Sequence, residues 1–304
     1  MLSVACQVEN GSIIVHLHKK MMIFSKKRMM KTKTIRYKIN EETKNGVRKE
    51  KMIMFDLTGN VAVVTGASAG LGRQFALALA RQGADVAILA RRKEKLEGVA
   101  EEIRALGVKC LPVQCDVTQI DQIQSAVDEV VKGLGTVDIL VNNAGGGSCI
   151  PLEDLPDEEW RKVLSLDLDG AFYCMKYFGR VMLEKGYGRV INISSILGKG
   201  GLKELPVIAY ASAKGGVINM TRQAAIEWAT KGVTVNALCP GFFASEANGP
   251  EAMEAMNDFI ETRSAMCRPG NPGELDSSIV YLAAKESSYV TAAILTCDGG
   301  WTAV

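Results

Sequence analysis

From Asn60 onward the chain alternates short β-branched runs with longer amphipathic stretches, and that alternation leaves few folds open. VAVVTG (61–66), DVAILA (85–90), KCLPVQC (109–115), VDILVNN (137–143), GRVINIS (188–194), VTVNALC (233–239) and AILTCDG (293–299) read as strands. Between them GRQFALALARQG, KEKLEGVAEEIRALG, QIQSAVDEVVKGLG, DEEWRKVLSLDLDGAFYCMKYFGRVMLEKG and YASAKGGVINMTRQAAIEWATKG keep a helical period. Most of them end in Gly, which tolerates the left-handed backbone that stops a helix. Strands apolar on both faces and separated by helices predict a parallel sheet covered on both sides by right-handed crossovers. The expected fold is α/β, a doubly wound parallel sheet filling residues 55–304 as one domain. Segment 242–273, rich in Ala, Met, Glu, Asn, Gly and Pro, breaks the rhythm and is expected to be an irregular cover over the ligand crevice.

The preceding stretch is different in charge. Residues 1–54 hold 13 Lys and Arg against 4 Asp and Glu, a net +9; the whole chain is +2, so the rest is −7. This leader shows no long period and no apolar core of a signal peptide. It is expected to be a disordered extension outside the fold, with a natural start at Met52 or Met54. A polybasic tail for nucleic acid or membrane, or a transit peptide, is the competing reading. No apolar run is long enough to cross a bilayer, and with the leader read as an extension outside the fold, neither membrane nor nucleic acid is expected as a partner.

Both histidines, His16 and His18, lie in the leader. The body therefore cannot run Ser-His-Asp or Cys-His chemistry or ligate a metal through His. Its acid or base must be Tyr, Lys, Cys or a carboxylate. The cysteines form no CxxC pair, and Cys110, Cys115, Cys149, Cys174, Cys239 and Cys297 read as small reduced core residues of a cytoplasmic protein with no metal site.

TGASAGLG, Thr65–Gly72, follows the first strand and opens the first helix. Gly66 permits a sharp turn, Gly70 clears the approach of a pyrophosphate to the helix N-terminus, and Gly72 lets helix and sheet pack closely. Ser68 and Leu71 complete the loop. In this strand-loop-helix setting the glycines predict dinucleotide binding and a Rossmann-type sheet. After the second strand, Arg91 and Arg92 stand where an NAD site needs a carboxylate for the ribose hydroxyl. Guanidinium groups suit a 2′-phosphate, so NADP(H) is expected, with NAD(H) as second choice.

In SSILGKGGLKELPVIAYASAK (194–214), Tyr210 precedes Lys214 by one helical turn, so the two heads share a face. TGxxxGxG at 65–72, NNAG at 142–145, a serine upstream of YxxxK, and PG at 240–241 together resemble the short-chain dehydrogenase/reductase family, across the whole body. The resemblance implies that Tyr210 is the general acid for a ketone oxygen, or the base in alcohol oxidation. A free phenol titrates at about 10, and a nearby ammonium stabilises phenolate at about 1.4 kcal/mol per unit. Lys214 would supply that charge and hold the nicotinamide ribose. Ser195 would polarise the carbonyl, with Ser194 packing beside it. Asp116 and Val117 match the family's adenine contact, Asn143 and Gly145 its adenosine-side loop, and Pro240, Gly241 and Ser245 its nicotinamide segment.

One position departs from the family. Asp167, in SLDLDGAF, stands where the family has its fourth catalytic residue, an Asn. An ionised carboxylate only accepts hydrogen bonds, so the expectation is a proton relay kept through water. FDLTGNVAVVTGAS, GFFASEA and DGGWTAV look similar to gluconate 5-dehydrogenase-like reductases of sugar acids or polyols. Met253, Met256, Phe259 and Met266 in an apolar lid keep hydroxysteroid oxidation and 3-oxoacyl reduction as alternatives. Intact Ser195, Tyr210 and Lys214 argue against a non-catalytic nucleotide sensor. The apolar helices at 158–185 and 210–231, including Phe172, Tyr173, Met175, Tyr177 and Phe178, are expected to build a homotetramer core.

Overall fold

The computed structural model describes residues 2–9, 12–19, 34–38, 54–243 and 250–303, with side chains at 54–243 and 256–303. The chain divides into two units, 1–52 and 53–304. In the first unit, β1 (Leu2–Glu9), β2 (Ser12–Lys19) and β3 (Thr34–Lys38) pair antiparallel in that order.

The second unit holds seven parallel strands: β4 (Val61–Thr65), β5 (Asp85–Ala90), β6 (Cys110–Gln114), β7 (Ile139–Asn142), β8 (Gly188–Ile193), β9 (Val233–Pro240) and β10 (Ile294–Cys297). Their order across the sheet is β10-β9-β8-β7-β4-β5-β6. The chain builds outward from β4 to β6, then returns to lay β7 on the other side of β4. That reversal opens a crevice at the carboxyl ends of β4 and β7, where the connections leave in opposite directions.

Among the described residues eight α-helices accompany the sheet: α1 (Gly70–Arg81), α2 (Lys93–Arg104), α3 (Ile120–Leu134), α4 (Asp157–Leu164), α5 (Gly170–Lys185), α6 (Ile208–Trp228), α7 (Pro250–Arg263) and α8 (Asp276–Ala283). Side chains alternate along each strand, so β4 sends Ala62 and Val64 to one face and Val61 and Val63 to the other. The first face packs Phe75, Leu79, Leu96, Ile103 and Ile279 from α1, α2 and α8. The second packs Ile123, Phe178, Met182 and Ala225 from α3, α5 and α6. Each large apolar side chain fully buried here stabilises the fold by about 1.5–3 kcal/mol. Burial on both faces is why the strands read as continuous apolar runs.

Three expectations need correction. The single helix anticipated over 158–185 is broken by a π-helical turn at Ser165–Asp169, between α4 and α5. One residue too many per turn widens the backbone there, a distortion frequent at functional sites. The cover expected to be irregular contains α7, because EAMEAMNDFIETR is a good helix former despite its Gly and Pro flanks. Finally, Met175 and Phe178 belong to the core, at 4% and 0% exposure, and are not free for an oligomer contact. Phe172 and Ile226 do remain exposed, while Tyr173 and Tyr177 are half-buried.

Candidate active site

A cavity of about 630 Å³ runs along the carboxyl ends of the strands. At one end it is walled by the loop between β4 and α1, including Gly66, Ser68, Gly70, Leu71 and Gly72. Gly66 (φ +67°) and Gly70 (φ +55°) both turn left-handed. A Cβ on Gly72 would sit 2.4 Å from the Gly66 carbonyl oxygen, so helix and loop close up only without one. The loop thus exposes backbone N–H groups at a helix N-terminus, a setting suited to phosphate.

Arg91 and Arg92, after β5, line the same end, and Arg92 Nη2 donates to Ser68 Oγ at 3.1 Å. Asp116 and Val117, after β6, lie beside them. Asp116 Oδ1 accepts from the Thr118 backbone N–H at 3.0 Å and from its hydroxyl at 2.8 Å, which shapes the turn. Asn143 serves as a clamp: its Nδ2 donates to the Thr65 carbonyl at 3.0 Å and binds β7 to the glycine loop. Thr65, not singled out in the sequence, fastens the other side, its Oγ1 accepting from the Asn143 and Ala144 N–H groups at 3.0 Å each.

Ser195, Tyr210 and Lys214 line the opposite end with Gly145, Pro240 and Gly241. Ser245 falls outside the described residues. Ser195 follows β8 and caps a short 3-10 turn, its Oγ accepting from the Leu197 N–H at 3.1 Å. Ser194 is a packing residue, its hydroxyl donating to the Lys214 carbonyl at 2.8 Å. Tyr210 and Lys214 stand on the first turns of α6, with Lys214 Nζ 5.4 Å from the Tyr210 ring centroid. Gly147 packs under the tyrosine: a Cβ there would meet Tyr210 Cβ at 2.7 Å.

Lys214 is almost fully buried and its ammonium has two acceptors. Nζ lies 2.9 Å from Asp167 Oδ1 and donates to the Ile193 carbonyl at 3.1 Å. The Asp167 carboxylate, delivered by the π-helical turn, also accepts the Gly146 N–H at 3.0 Å. Burial, the largest influence on Lys214, works against its charge. Negative charge on Tyr210 and on Asp167, with the hydrogen bond to Asp167, outweighs it and holds the ammonium above the ordinary lysine value. A buried charge without such a partner would be very costly.

The cysteines divide. Burial pushes the Cys110 and Cys115 thiols up to about 12 and raises Cys174 and Cys239 as well. Cys149 departs from the expected core placement: it is exposed and lines the cavity, because it belongs to the GGGSC loop after β7 rather than to a strand. Among the described residues no cluster of His, Cys, Asp or Glu could hold a metal ion, and no helix is long and apolar enough to cross a membrane.

Comparison with known proteins agrees with this geometry. Residues 66–302 match the family model described as enoyl-(acyl carrier protein) reductase. The chain is 37% identical over 240 residues to the 3-oxoacyl-(acyl-carrier-protein) reductase of Staphylococcus aureus, covering 79% of this chain and 96% of that protein. It is 34% identical over 250 residues to the gluconate 5-dehydrogenase of Gluconobacter oxydans, covering 82% and 97%. The solved gluconate 5-dehydrogenase of Burkholderia cenocepacia, in complex with NADP and tartrate, superposes with a TM-score of 0.78 at 33% identity, covering 82% and 98%. With the sheet order, the glycine loop and the Tyr210–Lys214 pair in place, the chain belongs to the short-chain dehydrogenase/reductase family of oxidoreductases.

Proposed function

We propose that this protein is an NADP(H)-dependent oxidoreductase that interconverts a ketone and a secondary alcohol, with Tyr210 as acid and base. One observation carries the reading: Ser195, Tyr210 and Lys214 converge at one end of a cavity whose other end presents a glycine loop and two arginines. The glycine cradle that a Cβ would fill, and the guanidinium of Arg92 over Ser68, fit a dinucleotide bearing a 2′-phosphate. The NADP complex of the Burkholderia relative supports that choice.

When bound, NADPH would supply the hydride, with its electron pair, that the carbonyl carbon takes up, being oxidised to NADP⁺. Tyr210 transfers its phenolic proton to the carbonyl oxygen, completing the alcohol. The Ser195 hydroxyl, whose oxygen already accepts from Leu197, keeps its proton to donate to that same oxygen. Lys214 stabilises the phenolate left behind and offers Nζ to the nicotinamide ribose. Asp167 fixes Lys214, and a water beside it returns a proton to Tyr210. The reduction consumes one solvent proton; oxidation of the alcohol runs the steps backwards.

The exposed Phe172 and Ile226 on α5 and α6 support contact between copies of the chain, proposed as a homotetramer. Deletion of residues 1–51 is expected to leave kcat unchanged. Tyr210→Phe tests the core of the reading. Turnover falls by about 10²–10⁴-fold while NADPH affinity and the folded spectrum stay as in the wild type. Survival of full turnover in that variant overturns it.

A further inference from the structure

We infer that the substrate is an uncharged ketone, or the matching alcohol, with an apolar group next to the carbonyl, and that it is not a sugar acid. The inference rests on Tyr210 as proton donor and concerns what surrounds it. Beyond Tyr210 the described wall of the cavity is made by Leu197, Leu205, Val207, Phe242, Phe243 and Met256. Its neutral polar side chains are Ser195, the exposed Cys149, and Ser148, whose hydroxyl oxygen is itself buried in the wall. The Ile150 N–H donates to the Pro206 carbonyl at 2.9 Å, closing the loop after β7 against the strap that carries Leu205 and Val207.

A carboxylate substrate is best held by a cation, and among the described residues no uncommitted cation lines that end. The described cations lining the cavity are Arg91, Arg92 and Lys214. The two arginines follow β5, three strands from β8 and Ser195, a lateral separation of about 14 Å. Lys214 is neutralised by Asp167. Nearby basic groups outside the wall are also committed. Arg263 pairs with Glu204 at 3.3 Å and lies over Phe259 and Trp301, and Lys199 donates to Thr296 at 2.8 Å. Lys203, on the same strap, is exposed and does not line the cavity. Residues 244–255 contain no Lys, Arg or His in sequence and three carboxylates, Glu246, Glu251 and Glu254. A sugar acid would therefore lose its hydration against an apolar wall without gaining an ion pair.

The lid is built for an apolar guest as well. Phe259 of α7 packs on Phe242 and Trp301, with ring centroids 6.0 and 5.1 Å apart, and this leaves Met256 one turn earlier to face the cavity. A flexible thioether moulds itself to irregular apolar groups.

The full-length protein with NADPH is assayed on three ketones of similar size: neutral ethyl 3-oxohexanoate, anionic 5-keto-D-gluconate and the permanently cationic 4-(trimethylammonio)butan-2-one. The expected result is kcat/KM for the neutral ketone on the order of 100-fold above either charged one. Leu205→Arg is expected to raise kcat/KM for 5-keto-D-gluconate relative to the neutral ketone by about tenfold. Equal or better turnover of a charged ketone by the wild type overturns the inference and leaves Tyr210's role intact. No turnover of any of the three, with NADPH still bound, overturns both.

Discussion

Lys214 and Asp167 form a buried ion pair, Nζ to Oδ1 2.9 Å, at the place where the family's pattern sets an amide. The carboxylate offsets much of the ammonium's field at Tyr210. Asp167→Asn leaves that cation unneutralised, which favours phenolate. The limb of the pH–rate profile for alcohol oxidation is then expected to move to lower pH. An unchanged profile and rate in both Asp167→Asn and Asp167→Ala removes Asp167 from the proton relay.

The same pair links stability to pH. Lys214 titrates above its unfolded value, so its contribution is complete below about pH 10.4 and is lost as pH rises through the folded value. Asp167→Ala, which leaves the ammonium alone, is expected to cost about 3–5 kcal/mol at pH 7 in urea unfolding. The gap to wild type should narrow above about pH 10.4.

Arg91 and Arg92 are expected to separate the two nicotinamide cofactors. The double change to Ala raises KM for NADPH by on the order of tenfold or more, since each charge-assisted contact is worth about 1.5–3 kcal/mol. KM for NADH stays within about twofold, because no 2′-phosphate is there to lose. Parallel rises for both cofactors would place the arginines in general loop support.

Gly147 packs against the tyrosine without room for a methyl group. Gly147→Ala displaces Tyr210 from its working position and is expected to lower kcat by about 10- to 100-fold. NADPH affinity is little changed, since the loop between β4 and α1 is untouched. Stopped-flow turnover with fluorescence titration of NADPH separates the two effects.

Glu274 takes both Arg268 guanidinium nitrogens at 2.8 Å and the Asn271 N–H at 2.7 Å. The hydrogen bond from Arg268 and then that from Asn271 bring its carboxyl down to about 2. A lowered carboxyl contributes stability above its unfolded value and loses it on acidification. The difference in Tm between wild type and Glu274→Gln is therefore expected to be full at pH 7. It should fade from about pH 4.3 down toward the folded value. A gap independent of pH would show that shape, and not charge, holds this turn.

The fold was legible because its signals are local. Most strands of the large sheet are short apolar runs rich in β-branched residues, each helix keeps a 3.6-residue period, and a Gly such as Gly186 stops α5 with a left-handed φ of +72°. The glycine loop and the Tyr210–Lys214 spacing were legible for the same reason, since the residues that act together are within one turn or one loop. The π-helical turn at 165–169 was hidden, because SLDLD has an ordinary helical composition and only its neighbours stretch it. Helix α7 was obscured by the Gly and Pro on either side.

What sequence alone determined is thus the parallel sheet, the glycine loop after its first strand and the one-turn spacing of Tyr210 and Lys214, all written in short-range spacing. Only the tertiary structure decided that Asp167 reaches Lys214, 47 residues on, and that Phe242, Phe259 and Trp301 gather under the lid. Those contacts depend on which strand lies beside which, and sheet order is set by burying both faces of the whole domain at once.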